Sequence, residues 1–283
     1  MKKAVFLIQC QDSKGLLAAI TTFFYGENFN ILHCQQYTDI CEDSYFMRVK
    51  LDLSDMSITR KQFEQEFTAF AAPYKLTWSV HYSDRVPRVA VMVSKAAHCM
   101  YEMLVHQQEG DLHCDIPLVI SNHPDLEHVA DKFKVPFYCF PVKGDKAGQE
   151  AKVLELLERN HIDLIVMARY MQVLSEDFIA RYAWRIINIH HAFLPGFKGA
   201  DPYRRAWERG VKMIGATAHY ATAELDDGPI IEQDVERITH EHEPEDLKRI
   251  GKDIERRVLS RAVKAHLENR IITSGKRTII FPI

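Results

Sequence analysis

From residue 89 onward, short apolar runs alternate with longer segments whose apolar residues recur at helical spacing, and that alternation leaves few folds open. Residues 89–93, 118–120, 136–140 and 164–167 read as buried strands. Residues 98–106, 126–134 and 149–160 read as the helices between them. Strand, helix and strand in regular succession favour parallel neighbours, because only a parallel pair needs so long a crossover. The expected fold is α/β: a doubly wound, mostly parallel sheet with ligands at the carboxyl ends of its strands. A long closing helix over 244–269 should dock by its Leu247, Ile250, Ile254 and Val258 stripe, and 278–281 should add an edge strand.

The first 84 residues have another rhythm. Residues 4–8, 31–37, 45–53 and 76–82 read as strands. Leu16, Ile20, Phe23 and Phe24 mark one helix, and Phe63, Phe67 and Phe70 a second. The order βαββαβ is that of a ferredoxin-like domain. Ser83-Asp84-Arg85-Val86-Pro87-Arg88 makes a natural linker, so the 283 residues divide into expected domains 1–84 and 85–283.

Charge and cysteine usage narrow the function classes. A net charge of −3 and a pI near 6.5 argue against a general nucleic-acid binder. No apolar run approaches the ~20 residues that span a bilayer, and the apolar stretch after Lys2-Lys3 is too short for a signal peptide. The six cysteines form no C-x-x-C pair. Buried free thiols in a reducing cytoplasm are expected, with no metal site.

The chemistry-bearing residues gather between 186 and 235. Asn188 and His190 share one face of a strand that ends in Leu194-Pro195-Gly196. A later strand at 216–221 holds His219, and the loop after it carries Glu224, Asp226 and Asp227 before Gly228-Pro229. Taken singly, such residues are ordinarily turn formers or structural side chains. An amide, an imidazole and a carboxylate at strand ends together suit proton transfer and oxyanion stabilisation. The turn Val93-Ser94-Lys95-Ala96-Ala97-His98-Cys99 contains no glycine, so it offers no phosphate cradle, and no nucleotide cofactor is expected.

These motifs carry a resemblance. N-I-H-H-x-F-L-P, G-A-T-A-H-Y, L-D-D-G-P and G-P-I-I-x-Q-D-V resemble the folate-dependent formyltransferase family, and within it the 10-formyltetrahydrofolate deformylase branch. D-S-K-G-L and E-N-F-N-I resemble the ACT domain, which commonly binds small amino acids between paired subunits. The resemblance implies hydrolysis of 10-formyltetrahydrofolate to formate and tetrahydrofolate. The folate is the substrate, and no separate cofactor is expected. Asn188 and a protonated His190 would hold the oxyanion, and Asp226 would orient or activate water. His219 would buttress Asp226, and His191 would be either a polar wall or structural. Met171, Gln172, Val173 and Leu174 would line one side of the pterin pocket, with Ala223, Glu224 and Leu225 on the other. Ala223 stands where many relatives have Asp or Asn. Expected partners are the folate, further copies of the chain and a small amino-acid effector at the ACT-type domain, where Asp12 and Gly15 shape the turn and Asn30 caps the following strand; the alternative is that this domain only dimerises the chain. Neither nucleic acid nor membrane is expected. The competing readings are formyl transfer to a small amine acceptor and a catalytically silent folate or amino-acid sensor. The glycine-free turn weighs against the first, and Asn188, His190 and Asp226 against the second.

Overall fold

The computed structural model describes residues 2–142, 144–196 and 202–283. The stretch 197–201, inside the motif region, lies outside them. By contacts the chain divides into two units. One comprises Met1–Val86, Asn269–Ser274 and Ile279–Ile283; the other comprises Pro87–Glu268 and Gly275–Thr278.

The first unit has the expected βαββαβ order: β1 (Lys3–Gln11), α1 (Leu16–Gly26), β2 (Asn30–Asp39), β3 (Ser44–Asp52), α2 (Arg60–Ala71) and β4 (Thr77–Tyr82). Its sheet is antiparallel in the order β2-β3-β1-β4. Ala4, Phe6 and Ile8 alternate onto one face of β1 and meet Leu16, Ile20 and Phe24 of α1 and Phe63, Phe67 and Ala71 of α2. Thr59 caps α2 in a reciprocal capping box with Gln62, satisfying amides that the first turn would otherwise leave unpaired. The opposite sheet face is covered too. Phe46 and Leu7 pack against Ile272, Ile279 and Phe281 from the closing segment, and Arg48 Nε donates to the Asn269 carbonyl at 2.8 Å. Double coverage explains why β3 is buried from Tyr45 to Val49 without alternation.

The second unit holds the expected doubly wound sheet, in the order β11-β10-β9-β8-β5-β6-β7. β5 (Arg88–Val93), β6 (Asp115–Ser121), β7 (Phe137–Cys139), β8 (Leu164–Met167) and β9 (Ile186–His190) are parallel. β10 (Met213–Tyr220) and β11 (Ile230–Arg237) extend it antiparallel. α3 (His98–Glu109), α4 (Glu127–Lys132), α5 (Lys146–Arg159), α6 (Glu176–Arg181) and α7 (Pro202–Arg209) fall between the strands. Ala90, Met92, Leu118, Ile120 and Ile165 bury one sheet face under Val153 and Leu157 of α5 and Phe178 of α6. α8 (Pro244–Leu267) packs against β9, β10, β11, α3 and α7.

The structure corrects three details. The buried face of α8 runs through Leu247, Gly251, Ile254, Glu255 and Val258, whereas Ile250 is only partly buried, because the stripe follows the 3.6-residue period to Gly251. The closing apolar segment is no edge of a main sheet. It pairs as β13 (Arg277–Ile280) with β12 (Ile271–Ser274). The cysteines are all free, but only Cys99 and Cys114 are buried. Cys34 lies on the edge strand β2, Cys139 ends the edge strand β7 and Cys41 sits in a turn, so these are exposed.

Candidate active site

Strand register assembles the core of the site. β10 runs antiparallel to β9 with His219 directly opposite Asn188 and Thr217 opposite His190. Opposed residues share a face, and so do residues two apart, so all four side chains project together. Asn188 Nδ2 lies 3.2 Å from His219 Nε2. His219 Nδ1 lies 2.9 Å from the Tyr220 carbonyl oxygen. That oxygen can only accept, so Nδ1 carries a proton; an unprotonated Nε2 accepts from the Asn188 amide, and a protonated Nε2 faces Asp226 as a cation. One amide hydrogen of Asn188 remains to donate elsewhere.

Asp226 completes the group from the loop after β10. Its Oδ2 is 3.3 Å from His190 Nδ1 and its Oδ1 is 3.7 Å from His219 Nε2. The loop reaches this position through tight backbone geometry. Asp226 itself adopts φ 54°, in the left-handed region that Asp tolerates better than most residues. Gly228 passes so close to β10 that a Cβ would run into the Tyr220 carbonyl. Burial would raise the Asp226 carboxyl, but hydrogen bonding and charge from His190 and His219 outweigh it and hold the group well below the usual carboxylate range. His190 is 5% exposed, and its Nε2 is buried without a hydrogen-bond partner among the described residues.

The other expected residues fall differently. His191 stands beside the group rather than within it, its ring 5.2 Å from that of His190. Its ring lies 6.3 Å from that of Tyr203 and lines a mostly apolar cavity of about 380 Å³ with Phe193, Met213 and Val235. Burial, then the Arg169 charge, pushes His191 down to about 4, so it is neutral at pH 7. Met171, Val173 and Leu225 are exposed apolar side chains, 56%, 52% and 62% accessible, on the loops after β8 and β10. Gln172 is half-buried, and Ala223 and Glu224 are exposed. Leu174 goes into the core, where Ala221 packs against the same cluster.

Several residues that the sequence reading passed over hold these loops. Thr217, fully buried, accepts from the Leu194 amide at 3.0 Å and from Gln233 Nε2 at 3.0 Å, and donates to the Ala192 carbonyl at 2.9 Å. Ser94 Oγ accepts from the Met171 amide at 2.9 Å and donates to Asn122 Oδ1 at 2.6 Å. Thr217 and Gln233 stand inside quoted motifs, two residues from His219 and five from Gly228, so alternation along the strands was the available signal. Ser94 had none beyond its place after β5.

Glu255 forms a second polar cluster. It accepts from Tyr203 at 2.6 Å, faces His98 Nε2 at 2.7 Å and has Arg169 Nε at 3.5 Å. Among the described residues, His98, Cys99 and Glu255 are near enough to share a metal ion, as are His106, Glu109 and Asp111. In the first group both Glu255 oxygens already serve side chains. In the second, His106 spends its two nitrogens on Glu102 and Asp111.

Comparison with known proteins agrees with this architecture. The formyl transferase family model matches residues 87–263 and the ACT domain model residues 4–68. A formyltetrahydrofolate deformylase of Synechocystis is 47% identical over 98% of this chain and 98% of its own. One of Bacillus subtilis is 44% identical over 99% of this chain and 94% of its own. The crystal structure of a formyltetrahydrofolate deformylase from Pseudomonas syringae superposes with a TM-score of 0.97 at 38% identity, covering 100% of this chain and 95% of that one.

Proposed function

The chain belongs to the formyl transferase family, in its formyltetrahydrofolate deformylase branch of hydrolases, and on that footing we propose that it cleaves 10-formyltetrahydrofolate to formate and tetrahydrofolate with Asn188, His190 and Asp226. The observation that carries this reading is a convergence: Asn188 and His190 share a face of β9, Asn188 meets His219 of β10 at 3.2 Å, and the Asp226 loop brings its carboxylate to 3.3 Å from His190.

Water attacks the formyl carbon, and the carbonyl oxygen becomes an oxyanion. The free amide hydrogen of Asn188 donates to it. The buried, otherwise unpartnered Nε2 of His190, when protonated, donates a second bond. Asp226 is ionised at neutral pH but held well below the usual range, which makes it a weak base. Its part is therefore to orient the attacking water and the imidazole, and to pass the proton along rather than keep it. Collapse breaks the bond to N10, which leaves with the proton relayed through His190. His219 buttresses Asp226 and Asn188 together.

The exposed Met171 and Val173 on one loop and Leu225 on the other supply apolar surface for the flat pterin ring, with Gln172, Ala223 and Glu224 beside them. Leu174 supports that loop from within the core. The first unit takes a small amino-acid effector where Asp12 and Gly15 shape the turn before α1, in a homo-oligomer working in the cytoplasm. Among the described residues no helix is long and apolar enough to cross a membrane.

The test is to incubate the pure protein with 10-formyltetrahydrofolate alone and follow formate. Formate should appear without added amine, nucleotide or metal. Turnover that starts only when an amine acceptor is supplied would remove the hydrolase reading.

A further inference from the structure

The strand order places β5, β6 and β7 successively to one side, then β8 and β9 to the other, so the winding reverses between β5 and β8. In open parallel sheets the crevice at such a reversal, outside the carboxyl ends of the strands, is where ligands enter. Here the chain's own side chains gather at it. His98 opens α3 after β5, and Arg169 follows the end of β8. Both turn to Glu255 of α8, which is 1% exposed, with contacts of 2.7 Å and 3.5 Å. Tyr203 of α7 donates to the other oxygen at 2.6 Å.

Two backbone features show that this closure is specified. Arg169 adopts φ 66°, a left-handed conformation that glycine would take without strain. A guanidinium is kept there at a conformational cost. Gly251, one turn before Glu255, has no room for a Cβ because the Tyr203 ring lies against it. A glycine is kept there so that Tyr203 can cross α8 to reach Glu255. The cluster adjoins the reacting group: the His191 ring is 5.2 Å from that of His190 and 6.3 Å from that of Tyr203.

We propose that Arg169, Glu255, His98 and Tyr203 form an internal plug that keeps an amine-bearing second substrate out of the crevice and reserves the formyl carbon for water, with Arg169 and Glu255 as its specificity-determining residues. This rests on the hydrolase reading above. With water the new bond is C–O and formate leaves. With an amine the new bond would be C–N and a formamide would leave. The bond to N10 breaks in both cases, and N10 takes the proton that the nucleophile loses.

The experiment uses the full chain with 10-formyltetrahydrofolate and glycinamide as the probe amine, and measures formate and N-formylglycinamide together by mass spectrometry. Arg169→Gly suits the left-handed backbone. Arg169→Gly with Glu255→Gln removes both charges, so that no carboxylate loses its cation. Arg169→Lys retains charge and bulk. Wild type and Arg169→Lys should give formate, with formylated amine at the level of an enzyme-free control. Either glycine variant should raise the ratio of formylated amine to formate by at least ~10-fold, the scale on which pocket contacts discriminate substrates. An unchanged ratio overturns the plug. So does loss of both products in step, whether from unfolding or from a damaged site, because the cluster would then be structural only. No formate from wild type would remove the hydrolase reading itself and the plug with it.

Discussion

The second unit contains two polar clusters at strand ends, and they are built in opposite ways. Asn188, His190, His219 and Asp226 come from adjacent strands and the loop that follows them, and the cluster keeps unsatisfied capacity: a spare amide hydrogen on Asn188 and an unpartnered His190 Nε2. Glu255, His98, Arg169 and Tyr203 come from helices and a loop, and both oxygens of the central carboxylate are taken. The first is positioned by backbone register and the second by side chains reaching across the fold. In the second cluster the unmade bonds lie on the cation instead: Arg169 Nε and Nη1 are buried without a hydrogen-bond partner among the described residues.

Cutting each cluster should expose that difference. The largest effect is expected from Glu255→Ala, which leaves Arg169 without its buried counter-ion. Loss of one partner of a buried pair typically costs about 3–5 kcal/mol, so urea unfolding should show a shift of that size. A shift below about 1 kcal/mol would mean that the pair behaves like a surface ion pair.

Asn188→Ala should act on catalysis instead. Removing one oxyanion donor typically lowers turnover ~100- to 1,000-fold, about 3–4 kcal/mol. Asp226→Asn should be at least as damaging, because it removes the charge that orders water and imidazole. Single-turnover rates and substrate dissociation constants for both variants and their double should show nearly constant affinity and less than additive losses. Near-normal hydrolysis by Asp226→Asn would take that residue out of the mechanism.

Thr217→Val tests a side chain that supports the first cluster in the manner of the second, by bonding across to the 192–194 loop. Stranding the Leu194 amide and the Ala192 carbonyl should cost about 1–3 kcal/mol of stability. A few-fold loss of turnover with unchanged melting would instead place Thr217 among the reacting groups.

The smallest effect is a slope. In Asp226, burial opposes and the two histidines lower the carboxyl; in Glu255, burial opposes and His98 with Arg169 lower it. A depressed folded-state value stabilises above the unfolded carboxylate range, near pH 4, and the contribution fades as pH falls toward the folded value. Denaturation midpoints of wild type should therefore decline below about pH 4, and Asp226→Asn and Glu255→Gln should each flatten that decline. An unaltered slope in both would deny the two carboxylates their share of acid stability.

The first cluster was legible in the sequence because register is a period-two signal. Asn188 and His190, and Thr217 and His219, are spaced to share a face, and Asp226 sits in a recognisable turn before Gly228-Pro229. The parallel core of the sheet was legible for a different reason, because strands covered on both faces read as continuous apolar runs without alternation. The second cluster was not. Glu255 lies in a charged stretch, Lys252-Asp253-Ile254-Glu255-Arg256-Arg257, and only its place beside Ile254, four residues after Gly251, marks it as inward-facing. Nothing local tells Arg169 or Tyr203 that they will meet it. The antiparallel return of β10 was equally hidden, because pairing direction is decided by how the chain crosses the sheet rather than by the strand's own residues.

The composition of the first unit bears on how the chain is made. Ile272, Ile279 and Phe281, which cover Phe46 and Leu7, are translated only after the whole of 87–268. At about 5–20 residues per second the ribosome takes roughly ten seconds or more to deliver them. Throughout that interval the nascent βαββαβ sheet presents Phe46 to solvent and chaperones. A polypeptide released before Asn269 would keep Asn188, His190, His219 and Asp226 and still carry an adhesive patch, so quality control should act on the 269–283 segment more severely than its distance from those residues suggests.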